Sequence, residues 1–362
     1  MERLGQQFGD LKMLAKEELK RYNRQIILPE IGLQGQQKLK AAKVLMIGAG
    51  GLGCPVLQYL VAAGVGAIGI VDDDLVDESN LHRQILYSSA DVGKSKAITA
   101  AEKLKIMNPF VNLTAYEERF SAENARRLVE NYDLIIDGSD NFPTRYLVND
   151  TCIELNKTLV FGSIFKFEGH VSVFNYQGGP QYRDIFPEAP SANEVPNCAE
   201  IGVLGVLPGL VGLYMANEAI KIICGIGETL SGKLMTINAL DNAVTVFKFK
   251  KSAVEYKITS EEKVEEKNSN NQEISIEELE DWLEKTPDEV CLIDIREDFE
   301  FEDYNIGGLN IPFDELTDQV NSLPKNKKII FCCRSGQRSK MAVALLKPVF
   351  DGEMFSLKNG IY

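Results

Sequence analysis

Short apolar runs recur along the first part of the chain, and stretches of helical composition separate them. Runs of this kind are typical of strands that are buried on both faces of a sheet. The predicted strands are residues 43–48, 67–71, 112–116 and 134–137. The predicted helices around them are residues 11–24, 54–63 and 94–107. Strands that alternate with helices at this spacing predict an α/β fold with a Rossmann-like, doubly wound sheet.

The pattern changes twice further along the chain. Residues 159–164 and 170–176 form a hairpin-like pair that extends the predicted sheet. Residues 259–273 are polar and charged with almost no apolar residue, which predicts a solvated linker. A second set of short elements follows: helix 276–284, strand 290–295, strand 328–332 and helix 339–346. We therefore predict a large domain over residues 1–258 and a small α/β domain over residues 274–362.

One apolar stretch, residues 202–225, has the composition of a possible membrane span. Pro208, Glu218 and Lys221 interrupt it, so it contains no clean window of about 20 apolar residues, which a span requires. We therefore predict a buried core helix and no membrane contact.

Composition and charge narrow the class of protein. The chain is 44% hydrophobic and 25% charged, which is ordinary for soluble globular proteins. Its net charge of −14 argues against nucleic acid as a direct partner. The first residues lack the apolar segment of a secretory signal, and the seven cysteines form no C-x-x-C pair. We therefore expect reduced thiols in a cytoplasmic protein.

A glycine-rich turn follows the first predicted strand. Its sequence, GAGGLG, places Gly48, Gly50, Gly51 and Gly53 between a strand and a helix, where backbone N–H groups approach phosphates. Asp72, at the end of the second strand, fits a carboxylate that holds a ribose hydroxyl. An NAD-dependent dehydrogenase has both features, so these residues alone leave that class open.

The segment after the second strand carries more polar chemistry than a nicotinamide site needs. It holds the carboxylate of Asp74, the amide of Asn80 and the guanidinium of Arg83. Lys96 opens the following helix, and Asp140 follows the fourth strand. A triphosphate with a metal uses such groups, because cations neutralise the leaving pyrophosphate and a carboxylate holds Mg²⁺. The strand ends share one edge of the predicted sheet, which therefore indicates a site for ATP and Mg²⁺.

Four motifs in this order resemble the MoeB/ThiF family of ubiquitin-activating-like enzymes. They are residues 21–25 (RYNRQ), 48–53 (GAGGLG), 79–84 (SNLHRQ) and 139–141 (SDN). The resemblance covers roughly residues 15–250. It implies a homodimer, because in this family the arginine at the position of Arg24 reaches into the ATP site of the partner subunit.

The same resemblance implies a role for each polar residue of the site. The implied contacts are Asp72 with the ribose, Asn80, Arg83 and Lys96 with the phosphates, and Asp140 with Mg²⁺.

Cys198 lies in a loop that leads to the apolar helix, whose dipole favours a thiolate. The resemblance makes Cys198 the candidate acyl or sulfur acceptor, and a buried structural thiol is the alternative. Many members of the family also carry two C-x-x-C pairs for zinc. Here Gln181 and Asp184 occupy the positions of the first pair, and residues 240–256 contain no cysteine. Because thiolate zinc needs four ligands, we predict no zinc and a region held by packing alone.

Residues 333–339 (CRSGQRS) lie between a predicted strand and helix. They resemble the active loop of rhodanese sulfurtransferases, and residues 294–297 match an earlier motif of that family. The resemblance covers residues 273–362. Backbone N–H groups of such a loop, with Arg334 and Arg338 beside them, stabilise a thiolate and then a persulfide on the cysteine, Cys333.

A protein phosphatase is the competing interpretation of this loop. A phosphatase places five residues between its cysteine and its arginine, and here that arginine position is Ser339. The arginine comes one residue early, so the loop is the tighter kind that suits one sulfur atom. Cys332 points to the opposite face if the strand continues to it, which indicates a packing role.

Together the two resemblances imply one pathway. ATP adenylates the C-terminal glycine of a ubiquitin-like sulfur carrier of the MoaD/ThiS type. Sulfur from a Cys333 persulfide, loaded by a donor such as a cysteine desulfurase, then displaces AMP directly or through Cys198. The thiocarboxylate product serves molybdopterin synthesis, thiamin synthesis or tRNA thiolation, between which the sequence does not choose. An NAD-dependent oxidoreductase and a non-catalytic scaffold that senses persulfides are the alternatives.

Overall fold

The computed structural model describes residues 13–188, 202–252 and 273–361, except positions 335 and 348. The chain divides into two compact units, with the change of unit in the main chain after Ile258. The predicted linker, 259–273, lies outside the described residues apart from Glu273, which begins a strand. Cys198 also lies outside them.

The first unit contains eight helices and eight strands within its described residues. The helices are α1 (Lys16–Arg21), α2 (Asn23–Ile26), α3 (Gly32–Ala41), α4 (Gly53–Ala63), α5 (Lys96–Met107), α6 (Ala125–Val129), α7 (Phe142–Glu154) and α8 (Leu207–Cys224). The strands are β1 (Lys43–Ile47), β2 (Ala67–Val71), β3 (Asn112–Tyr116), β4 (Leu134–Asp137), β5 (Thr158–Phe165), β6 (Glu168–Phe174), β7 (Lys233–Asn238) and β8 (Ala243–Lys248).

All eight strands form one sheet in the order β3-β2-β1-β4-β5-β6-β7-β8. The first five are parallel, and β5 to β8 continue as antiparallel neighbours. Along β1, Val44 and Met46 enter one apolar cluster, whereas Leu45 and Ile47 enter the other. Both faces of the sheet are therefore buried, as the continuous apolar runs predicted.

Helix α8 is the apolar stretch that the sequence analysis assigned to the core. Among the described residues it is the one helix long and apolar enough to cross a membrane, and 61% of it is buried within the fold. It packs on α4, β5 and β6. Pro208 lies in its first turn, where a missing N–H costs no hydrogen bond, and Gly225 ends it in a left-handed conformation. These contacts are those of a core helix.

Several predicted boundaries were wrong by a few residues. The lead-in is two helices rather than one, because Tyr22 leaves the helical conformation between α1 and α2. Helix α5 begins at Lys96 rather than at residue 94, since the Ser95 side chain caps it. The hairpin of β7 and β8 was not predicted.

The second unit has four helices and five strands within its described residues. The helices are α9 (Ile276–Lys285), α10 (Asp298–Asp303), α11 (Leu316–Gln319) and α12 (Gln337–Leu346). The strands are β9 (Glu273–Ile274), β10 (Val290–Asp294), β11 (Leu309–Asn310), β12 (Lys328–Cys332) and β13 (Met354–Leu357). They form a parallel sheet in the order β11-β10-β12-β13-β9, with apolar clusters on both faces. This is the small α/β domain that the sequence predicted.

Candidate functional site

The glycine-rich turn joins β1 to α4 with very little space. A Cβ atom on Gly53 would lie 2.1 Å from the carbonyl oxygen of Gly48, and Gly48 itself has a φ of +87°. These two glycines are needed for the turn to form. Gly51 would meet Pro208 at 3.1 Å, whereas Gly50 would make only an ordinary contact of 3.6 Å, with Gln84. The space at Gly50 would admit a side chain, so packing does not require a glycine at this position. Glycine leaves the backbone of the turn uncovered there.

Asp72 lies beside this turn because β1 and β2 are adjacent and parallel. Its carboxylate accepts the backbone N–H of Ala49 at 2.7 Å and that of Asp74 at 2.9 Å. Burial raises the pKa of Asp72 against the charge of Lys96 and these two hydrogen bonds. The carboxylate therefore holds the turn in place and keeps lone pairs for a further donor.

The ammonium group of Lys96 pairs with the carboxylate of Asp74, and its charge acts on that of Asp72. Its side chain is 5% exposed, and Nζ donates to Asp74 Oδ2 at 2.8 Å, while Asp74 is largely exposed. The buried hydroxyl of Tyr87 lies 2.8 Å from the carbonyl oxygen of Ala49 and 3.1 Å from that of Lys96. Tyr87 thus links the glycine turn to the start of α5. Nothing in its sequence context predicted this role.

Asn80 and Arg83 lie in the loop between β2 and α5. Gln84 is buried and donates from Nε2 to Asn80 Oδ1 at 2.7 Å, which fixes the direction of the Asn80 amide. Burial lowers the pKa of Arg83, although the negative charges of Asp140 and Asp77 oppose the shift. Arg83 therefore lies within electrostatic reach of Asp140, as the sequence analysis expected of a shared site.

Asp140 is exposed on the loop between β4 and α7, and a buried polar cluster lies beneath this loop. Ser139 donates its N–H to Asp137 at 2.9 Å and accepts from Arg145 Nη2 on its carbonyl at 3.2 Å. The Arg145 guanidinium lies over the rings of Phe142 and Phe161, at 5.2 and 5.8 Å. The residue before Asp140 is thus held through both of its backbone polar groups.

Sequence reasoning missed Asp137 and Arg145. Burial raises the pKa of Asp137, although hydrogen bonding by Ser139 and the charge of Arg145 oppose the shift. Within the described part of the chain, Asp137 Oδ2, Ser139 Oγ and Arg145 Nε have no hydrogen-bond partner. An arginine eight residues after the strand end at Asp137, between the aromatic residues Phe142 and Tyr146, was the signal available.

Arg24 lies at the opposite end of α4 from the glycine turn. Its neighbour Gln25 donates to the carbonyl of Ala63 at 3.3 Å, and the ring of Tyr22 fills the space at Gly64. Helix α4 has 11 residues, which corresponds to a length of about 16 Å. Within one chain, Arg24 is therefore far from the glycine turn and exposed.

The donor set suits magnesium better than a metal that needs a protein cage. The described residues contain no group of three or more His, Cys, Asp or Glu side chains that could hold a metal ion. Mg²⁺ is usually bound by one or two carboxylates together with substrate phosphates and water. The exposed Asp140, beside Arg83 and the glycine turn, fits that mode of binding.

Hydrogen bonds hold the segment around Gln181 and Asp184, where the family resemblance implied the first thiolate pair. The Asp184 carboxylate accepts the N–H of Gln181 at 2.8 Å and the N–H of Ser252 at 3.0 Å. Gln181 Oε1 accepts from Asn149 at 3.2 Å. The expectation that packing alone holds this region was therefore wrong, because hydrogen bonds join its two segments.

In the second unit, Cys333 follows β12 and is 1% exposed. Its Sγ accepts the N–H of Ser339 at 3.4 Å, from the first turn of α12. Arg338 makes two 3.1 Å contacts with the Glu300 carboxylate, and Arg334 is exposed. Burial of Glu300 opposes its ionisation, but the hydrogen bonds and charge of Arg338 lower its pKa overall.

The adjacent residues Cys332 and Cys333 lie on opposite faces of the sheet of the second unit. Cys332 enters the apolar cluster on the other side of the sheet from Cys333, as predicted, and burial raises its pKa. Asp294 and Arg296 form a fully buried ion pair at 2.7 Å. The earlier rhodanese motif thus supports the fold around the loop.

Comparison with known families identifies both units. The model of the ThiF family matches residues 22–257, and the model of the rhodanese-like domain matches residues 275–362. The chain therefore belongs to the ThiF family and carries a rhodanese-like domain.

Two relatives narrow this class. The probable adenylyltransferase/sulfurtransferase MoeZ of Mycobacterium tuberculosis is 42% identical over 365 residues, which cover 96% of this chain and 93% of MoeZ. The sulfur carrier protein adenylyltransferase of Thermus thermophilus is 54% identical over 231 residues, which cover 62% of this chain and 85% of that protein. The predicted enzyme class, an adenylyltransferase with a sulfurtransferase domain, is thereby confirmed.

A solved structure supports the fold of the first unit. Escherichia coli MccB with ATP matches with a TM-score of 0.55 and 21% identity, over 61% of this chain and 67% of that chain. At this identity the likeness shows the fold alone.

Proposed function

We propose that this enzyme uses ATP and Mg²⁺ to adenylate the C-terminal glycine of a ubiquitin-like sulfur carrier and then replaces AMP with sulfur. The observation that carries the proposal is the convergence of the glycine turn, Asp72, Lys96, Arg83 and Asp140 at one edge of the sheet. A nicotinamide site does not need these charged side chains. Their presence favours an adenylyltransferase over an NAD-dependent oxidoreductase.

In the first half-reaction the carrier carboxylate attacks the α-phosphorus of ATP, and pyrophosphate leaves. The Asp72 carboxylate accepts a hydrogen bond from a ribose hydroxyl. The backbone N–H groups at Gly50 and Gly51 approach the phosphates. Lys96, Arg83 and the Asn80 amide bind phosphate oxygens and neutralise the leaving group. Asp140 would hold a Mg²⁺ ion, which would supply further charge neutralisation.

The ion pair of Lys96 with Asp74 has a place in this scheme. Because Lys96 is buried and its partner is exposed, the ammonium group is held at the start of α5 before nucleotide binds. ATP phosphates then add to, or replace, the Asp74 carboxylate as its anionic partner. Asp74 therefore contributes to cofactor binding through Lys96.

In the second half-reaction Cys333 carries the sulfur. The Cys333 thiolate attacks the terminal sulfur of a persulfide donor, such as a cysteine desulfurase, and the donor thiolate leaves. The terminal sulfur on Cys333 then attacks the carrier's acyl carbon and AMP leaves. A second thiol, either Cys198 or an external one, attacks the Cys333 sulfur, which releases the thiocarboxylate and leaves a disulfide for cellular thiols to reduce. Arg334 and Arg338 stabilise the anionic sulfur.

The place of Arg24 supports a proposal about the subunit arrangement. Since Arg24 lies at the far end of α4 from its own glycine turn, its proposed contact with ATP has to come from a second copy of the chain. We therefore propose a homodimer, with a domain division at residues 1–258, 259–273 and 274–362. We also propose a cytoplasmic enzyme without structural zinc, whose partners include neither nucleic acid nor a membrane.

The experiment that tests this function offers the purified protein ATP, Mg²⁺ and each ubiquitin-like carrier of its cell. Intact-mass analysis should show carrier–AMP without a sulfur source and carrier thiocarboxylate with a persulfide donor. Nucleotide-dependent hydride transfer without any change in carrier mass would instead support the oxidoreductase. Adenylation together with a Cys333 that no electrophile alkylates would support a scaffold role for the second unit.

A further inference from the structure

Two buried hydroxyl groups lie beside Cys333, and the proposed chemistry has not used either of them. Ser339 is fully buried on α12, and Ser356 is 1% exposed on β13. The Cys333 Sγ lies 3.6 Å from Ser339 Oγ, which in turn lies 2.8 Å from Ser356 Oγ. The three groups therefore form one continuous chain from the reactive sulfur into the core of the unit.

The carbonyl oxygen of Gly336 closes this chain. It lies 3.0 Å from Ser339 Oγ and 3.4 Å from Ser356 Oγ. Each serine hydroxyl donates one hydrogen bond, so either Ser339 or Ser356 can donate to this carbonyl oxygen. Because all these atoms are buried, water is not at hand to replace a missing donor, and a buried acceptor without a donor is unfavourable.

The two protonation states of Cys333 need different hydroxyl directions. As a thiol, Cys333 can donate its S–H to Ser339 Oγ, while Ser339 donates to the carbonyl of Gly336. As a thiolate, Cys333 has no proton to donate and accepts from Ser339, both from its N–H and from its turned hydroxyl. The carbonyl oxygen of Gly336 then no longer accepts a hydrogen bond from Ser339. The hydroxyl of Ser356 lies within reach and can donate one instead.

We propose that Ser339 and Ser356 form a hydroxyl relay that stabilises the Cys333 thiolate, with Ser356 as a positioning residue that acts through Ser339. The proposal rests on the sulfur-carrying role of Cys333. It also gives a reason for a polar residue at a buried strand position between Phe355 and Leu357, where apolar residues pack.

Charged and titratable groups also lie on the elements of this unit around Cys333. They are the pair Asp294–Arg296 at the end of β10, the pair Glu300–Arg338 between α10 and α12, Arg334 in the loop, the thiol of Cys332, and the pair Glu273–Lys340. A Ser356→Ala substitution leaves every one of these groups in place. Its effect on Cys333 therefore reports the hydroxyl relay.

The test measures the rate at which iodoacetamide alkylates Cys333 across pH, read by peptide mass spectrometry on the full chain. We expect Ser356→Ala to move the pH of half-maximal rate upward on the order of one unit, because the thiolate loses one buried hydrogen bond of its network. Ser339→Ala should move it at least as far. The double variant should move it no further than Ser339→Ala, because Ser356 acts through Ser339.

Ser322→Ala is the matched control, since Ser322 is an exposed serine of the same unit that also bonds a carbonyl, at 2.6 Å. It should leave the profile unchanged. An unchanged profile in Ser356→Ala, with circular dichroism and adenylation like the parent, would overturn the relay. Strictly additive shifts in the double variant would also overturn it. Neither result depends on sulfur transfer, so the proposed function is tested separately.

Discussion

The position of the Asp140 carboxylate depends on two buried residues beneath its loop. It is exposed at a loop whose preceding residue is fixed by Asp137 and Arg145 beneath it. A carboxylate held in one direction loses less conformational freedom when it binds a metal, and this reduces the cost of binding. The motif Ser139–Asn141 predicted Asp140 as the candidate ligand, whereas the buried support was not predicted, because it depends on stacking between residues of β5 and α7.

We predict that Asp140→Ala abolishes adenylation, with a loss of at least about 100-fold in ATP–pyrophosphate exchange, since it removes the metal ligand. The exposed site makes a change in stability above about 0.5 kcal/mol unexpected. Asp241→Ala, at an exposed aspartate of the same unit, is the control and should exchange normally. Normal exchange in Asp140→Ala would refute the assignment.

At the scale of elements, the interior of the sheet was predictable and its edge was not. Strands β1, β2 and β4 are apolar apart from Lys43 at the start of β1 and Asp137 at the end of β4, because both of their faces are buried, and the sequence shows this directly. The six residues of β8 are all exposed, so no contrast between buried and exposed positions marked it as a strand. The cap residue Ser95 decided the start of α5, which the sequence pattern placed two residues too early.

The hydrogen bonds of Asp184 to Gln181 and Ser252 lead to a prediction about metal content. These bonds join the two segments where the family resemblance implies thiolate pairs, and because the four thiolates are missing here we expect no stoichiometric zinc after chelator treatment. The midpoint of thermal unfolding should be the same with and without the chelator. Metal analysis together with calorimetry measures both quantities. One tightly held equivalent of zinc per chain would contradict the prediction, because side chains other than the missing thiolates would then bind the metal.

At the scale of the whole molecule, Arg24 is separated from its own glycine turn, and in the proposed homodimer each nucleotide site would depend on two chains. We predict that mixing Arg24→Ala chains with Asp140→Ala chains restores part of the activity. In the mixed dimer one site combines an intact Asp140 with an intact Arg24, so random pairing should recover about a quarter of the parent exchange activity. Each variant alone is the control. A verified heterodimer with no recovery would contradict a role for Arg24 across the interface.

The division into two units was predictable, since the polar stretch 259–273 and the change of pattern after it are local features of the sequence. The chemical connection between the units is a larger claim, because it assigns the sulfur to Cys333 and the acyl-adenylate to the other unit. The measurement that tests this claim most directly compares the Cys333→Ser variant with the parent in both half-reactions.

We predict that Cys333→Ser adenylates the carrier at a near-normal rate, whereas thiocarboxylate formation from a persulfide donor falls to background. A serine hydroxyl has a far higher pKa than a thiol and does not carry sulfane sulfur. Cys332→Ser, which changes the neighbouring thiol on the other face, is the matched control and should keep sulfur transfer if the variant folds. Intact-mass analysis of the carrier reads both steps. Thiocarboxylate made at the parent rate by Cys333→Ser would contradict the account and direct attention to Cys198.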